Sequence, residues 1–184
     1  NARRLARALR ERGEEPLDVV TFSLGGVLLR WAANHESIPR LRRVVMIGPP
    51  NQGAWMADWA DAHLGPLFPV MFGRAARQLR TGEKGLCAAA GRLPEEVELG
   101  IVAGGTGTPR GVVAMIPGDN DRIVRVEETT LEGMRERVLV NAPHGPLVFA
   151  RETHAHVVRF LECGSFARVG SPGFEPAGGR LAAT

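Results

Sequence analysis

Lysine is almost absent from this 184-residue chain: Lys84 is the only one, and the formal charge of +3 rests on arginine. The excess of 23 basic over 20 acidic residues is slight. Its densest cluster, Arg40, Arg42 and Arg43, is too short for a nucleic-acid stripe interleaved with stacking aromatics. That cluster reads as a solvated entrance to a strand, and no nucleic-acid partner is expected. Cysteine is scarce as well. Cys87 and Cys163 lie far apart without CxxC spacing, so neither a disulfide framework nor a zinc site is indicated. No apolar run reaches the roughly 18 residues that a membrane-spanning helix needs. There is no secretory signal pattern, and the chain opens on Asn1 rather than methionine, so a true start further upstream is expected.

A hydrophobic content of 44% over this length suits one globular domain with a real core. Short apolar runs alternate with helical ones. Residues 2 to 12 place Ala2, Leu5, Ala6 and Leu9 on one stripe with arginines opposite, an amphipathic helix that Gly13 can stop. "LDVVTF" (17 to 22) is a β-branched run of the kind that forms a buried strand, and "LGGVLLRWAANH" (24 to 35) follows with helical composition. Further strands are expected at 43 to 50, 97 to 105 and 137 to 143, and a closing helix at 148 to 164 with Gly164 as its stop. Strands separated by helices predict an α/β fold with a mostly parallel sheet and flanking helices. The domain is expected over residues 1 to 164, with an irregular helical insertion at about 54 to 93. Trp55, Trp59, Leu67, Phe68, Met71 and Phe72 in that insertion fit either a lid over a site or ordinary core. Residues 165 to 184 have the composition of a disordered tail. No internal repeat is present.

In open parallel sheets, ligands bind beyond the carboxyl ends of the strands. Three such places carry side chains capable of chemistry: Ser23 after "DVVTF", Asp121 in "PGDNDRIV", and His144 after "VLVNAP". Each also has a plainer reading. A serine between strand and helix is commonly a helix cap. Asp119 competes with Asp121, since Gly-Asp-Asn-Asp is strong turn chemistry. His154 and His156 compete with His144, but two residues apart on one helix they fall on different faces and form no metal pair. His35 and His63 read as ordinary polar residues at helix ends.

The order Ser, Asp, His along the chain resembles that of the α/β-hydrolase superfamily, whose serine lies on a sharp strand-to-helix turn. "TFSLGG" looks like the nucleophile elbow, "GDNDRIV" like the acid loop and "NAPHGPL" like the histidine loop. "VVMIGPPNQGAW" and "VVRFLECGSF" are similar to the strand after the nucleophile helix and to the last helix of bacterial lipases and esterases. The resemblance covers most of residues 1 to 166. It implies Ser23 as nucleophile, His144 as base, Asp121 as the carboxylate that orients it, and the backbone N–H of Leu24 as an oxyanion donor. Two departures stand out: Thr21 occupies the elbow's usual glycine position, and the strands that precede the nucleophile strand in the family are absent. A truncated α/β-hydrolase fold is therefore expected. The implied activity is cleavage of a carboxylic ester in a small molecule or lipid, through an acyl-enzyme, with no metal or organic cofactor. A catalytically inactive hydrolase-fold module, or an acyltransferase or thioesterase with the same triad, are the alternatives.

Overall fold

A computed structural model describes residues 1–64, 79 and 85–167 of the chain. Leu67, Phe68, Met71 and Phe72 of the expected insertion, and residues 168–184 of the expected tail, lie outside the described residues.

Four strands form one parallel sheet in sequential order: β1 (Leu17–Phe22), β2 (Leu41–Ile47), β3 (Glu98–Gly104) and β4 (Met134–Val140). The two central strands are buried on both faces, which explains why "VVMI" and "LGIVAG" read as unbroken apolar runs. Alternation then sorts their side chains. Val44, Met46, Leu99 and Ile101 meet helices α1 (Ala2–Arg10) and α2 (Leu24–His35) through Leu9 and Leu29. Val45, Ile47 and Val102 point the other way, onto α5 (His144–Leu147) and α6 (Arg151–Cys163) through Leu147 and Phe160. Between β2 and β3 come α3 (Trp55–Leu64) and the short α4 (Leu86–Ala89).

Phe160 is fully buried, and a Cβ on Gly100 would stand 2.7 Å from the rings of both Phe160 and Phe166. Gly100 thus opens a socket in β3 for two aromatic side chains. Removing the Phe160 ring would cost about 3–5 kcal/mol, the usual penalty for emptying such a site. Phe166 is nearly buried there, and its N–H donates to Glu136 Oε2 at 2.7 Å.

The parallel α/β class stands as the sequence predicts, and α2 covers the expected residues. β4 begins at Met134, three residues before the expected 137. The charges that hide its start sit on an exposed edge as Arg135 and Arg137, while the intervening Glu136 turns inward to Phe166. β2 stops at Ile47 because Gly48 turns the chain with φ 54°. The closing helix starts at Arg151, later than 148, because the chain first makes the separate turn of α5; Gly164 ends it in the left-handed region at φ 71°.

Candidate active site

Ser23 sits on the corner between β1 and α2 with φ 51° and ψ −125°. Serine rarely adopts positive φ, and such a residue stores on the order of 1–3 kcal/mol of strain. Only Ser23 and Arg122 do so among the described non-glycine residues. The corner is pinned by the Ser23 N–H, which donates to the Ile47 carbonyl at 2.8 Å. No side-chain cap bond forms at Ser23, so the hydroxyl does not serve the helix end. It lies 2.9 Å from His144 Nε2 instead.

β1 and β4 are the two edges of the sheet, three steps of about 4.8 Å apart, so about 14 Å separates the strands that lead to Ser23 and His144. Glycines at the ends of the two central strands let the loops close that distance. A Cβ on Gly48, after β2, would meet His144 Cε1 at 3.2 Å, and one on Gly104, ending β3, would meet Asp121 Cβ at 2.7 Å and the Ala142 carbonyl oxygen at 2.9 Å. The bare backbone at both positions is the floor over which the 141–144 segment runs back toward Ser23. The His144 N–H then donates to the Asp121 carbonyl at 2.7 Å, locking the two loops together.

Asp121 is buried, and its two carboxylate oxygens are divided between tasks. Oδ1 accepts the N–H groups of Ile123 and Val124 at 3.0 and 2.8 Å, and Oδ2 accepts His144 Nδ1–H at 2.7 Å. A carboxylate accepts only, so Nδ1 carries the proton and Nε2 is left with a lone pair facing the Ser23 hydroxyl. Asp119 is spent elsewhere. It receives the N–H groups of Thr106 and Gly107, each at 2.8 Å, and so closes the loop after β3. Between them Asn120, fully buried, receives the N–H groups of Val113 and Arg122 and donates to the carbonyls of Val113, Ile116 and Gly118. The loop of residues 118–124 is therefore a closely hydrogen-bonded turn with one aspartate left over for the histidine.

Leu24 opens α2, and the first N–H groups of a helix have no partner within it, so its N–H lies at the positive end of the helix beside Ser23. The other histidines lie apart from this group. His35 and His63 donate to the carbonyls four residues back and stack on Trp31 and Trp59, and His154 donates to the Val148 carbonyl. Among the described residues, no group of three or more His, Cys, Asp or Glu side chains is placed to hold a metal ion.

One buried cluster has no signal in the sequence. Arg30 donates to the carbonyls of Gly91, Asn51 and Cys87, tying α2 to the turn after β2 and to α4. Burial lowers the pKa of its guanidinium and raises that of the neighbouring Cys87 thiol. The thiol thus stays protonated and donates to the Pro50 carbonyl at 3.1 Å.

Residues 1–126 match the family model described as Domain of unknown function (DUF7379), and the chain belongs to that family. No curated protein matches the sequence. Among solved structures, the mature form of the lipase BlEst2 from Bacillus licheniformis superposes with a TM-score of 0.61 at 17% identity, over 89% of this chain and 73% of that one. The propeptide form of the same lipase gives 0.66 at 18%, over 98% of this chain and 42% of that one, so this chain spans less than half of the longer protein. At these identities the likeness concerns the fold, and the shared fold is α/β.

Proposed function

We propose that this chain is a serine ester hydrolase of the lipase or esterase type. The observation that carries the reading is the unbroken line from Ser23 Oγ to His144 Nε2 at 2.9 Å and from His144 Nδ1 to Asp121 Oδ2 at 2.7 Å, on a serine with a strained backbone. A serine hydroxyl is a weak nucleophile until a base takes its proton. In this reading His144 Nε2 accepts that proton as Oγ bonds to the ester carbonyl carbon, and the resulting oxyanion is met by the Leu24 N–H. Collapse of the tetrahedral intermediate breaks the bond to the alcohol, which leaves with the proton from His144. Water then repeats the sequence on the acyl-enzyme and releases the carboxylic acid. Asp121 stays ionised throughout, fixing the tautomer and stabilising the imidazolium.

The substrate class is a small-molecule or lipid carboxylic ester, in keeping with the lipase whose fold this chain shares. Steady-state hydrolysis of p-nitrophenyl esters by the protein and by Ser23→Ala tests it. The expected result is turnover by the parent and its loss in the variant. Equal rates in both, or none in either, overturn the reading.

A further inference from the structure

We infer that Phe22 is a positioning residue for His144, an assignment that rests on the catalytic reading above. The alternation of β1 sends consecutive side chains to opposite faces of the sheet. Thr21 faces Gly25 and Gly26 of α2, so Phe22 must face the α5 and α6 side, where it packs on the cluster of Ile47, Val140 and Leu147. That is the face from which His144 reaches Ser23. The Phe22 ring lies against the imidazole with centroids 5.0 Å apart and planes tilted by 36°.

Most of the imidazole edge is then accounted for. Nδ1 is held by Asp121, Nε2 faces Ser23, Cε1 abuts Gly48, and the ring meets Phe22. Hydrogen bonds at the two nitrogens fix where the ring points but leave it free to rock about the line joining them. An aromatic side chain against the ring restrains that motion. Its contribution also changes during the reaction. An aromatic π system attracts a cation, so the contact strengthens when the Ser23 proton arrives and the imidazole becomes an imidazolium. An interaction stronger in the transition state than in the ground state appears in kcat rather than in KM.

The experiment compares the parent with Phe22→Leu, which keeps apolar volume but removes the ring, and Phe22→Tyr, which restores it. Two readouts are taken: kcat and KM for a p-nitrophenyl ester, and the exchange rate of the far-downfield His144 Nδ1 proton by NMR, which needs no turnover. Phe22→Leu is expected to lower kcat about three- to tenfold, the size of a partly buried cation–π contact, with KM unchanged. It should also speed exchange of the Nδ1 proton, and Phe22→Tyr should reverse both. Unchanged proton exchange in Phe22→Leu overturns the assignment, as does a loss of kcat that tracks lost folded protein or that Tyr does not rescue. If the parent itself hydrolyses no ester, the proposed function fails, and the proton-exchange comparison alone decides whether Phe22 holds His144.

Discussion

Thr21 Oγ1 lies 3.3 Å from where a Cβ on Gly26 would stand, and Thr21 Cβ lies 3.5 Å from the same position on Gly25. The β-branched residue two places before Ser23 is accommodated because the first turn of α2 opposite it carries Gly25 and Gly26, the closer approach being to Gly26. The fit leaves the Thr21 hydroxyl buried and without a hydrogen-bond partner among the described residues. An orphaned buried hydroxyl costs about 1–3 kcal/mol, so Thr21→Val, which keeps the shape, is expected to raise stability by about 1 kcal/mol. The midpoint of urea unfolding checks this, and a lower midpoint would mean that the hydroxyl has a partner.

The two aspartates of "GDND" separate by what they hold. Asp119→Ala removes the acceptor for the Thr106 and Gly107 N–H groups, with an expected loss of about 1–3 kcal/mol of stability and most ester hydrolysis retained. Asp121→Asn keeps an oxygen for the Ile123 and Val124 N–H groups but no longer fixes the His144 tautomer, so kcat is expected to fall by about 10⁴ with the fold intact. Thermal unfolding and kcat measured on both variants check the pair, and the reverse pattern would exchange the two roles.

Acid sensitivity has its own location, near the amino ends of the strands. The hydrogen bond from Arg42 holds the Asp18 carboxyl below its ordinary pKa, and that from Arg43, aided by the charge of Arg135, does the same for Glu98; burial opposes both. A carboxylate with a lowered folded-state pKa stabilises the fold above the unfolded value and loses that contribution as pH falls through the folded one. Stability is therefore expected to drop below about pH 4.5. The drop should be shallower in Asp18→Asn/Glu98→Gln, as thermal unfolding across that range would show.

The parts legible in the sequence are those that local chemistry decides. The central strands show as unbroken apolar runs because both faces are covered, and α2 is legible because a strand's β-branched run gives way to helix formers at one residue, Ser23. The edge strand β4 is less legible, since Arg135 and Arg137 face water while Glu136 faces Phe166. The approach of Ser23, Asp121 and His144 was legible only as an order along the chain. Their meeting depends on Gly48 and Gly104 clearing a path across two strand ends, and on Asn120 and Asp119 shaping the acid loop. A glycine directly after an apolar strand was the available signal. The Arg30 network had none, because each of its acceptors is a backbone carbonyl from a distant segment.

Whether Ser23 is the nucleophile is read most directly from the intact mass of the protein after reaction with a fluorophosphonate, followed by peptide mapping. One adduct per chain is expected, on Ser23, absent from Ser23→Ala and strongly slowed in His144→Ala. No adduct on the parent, or one that persists in Ser23→Ala, would contradict it.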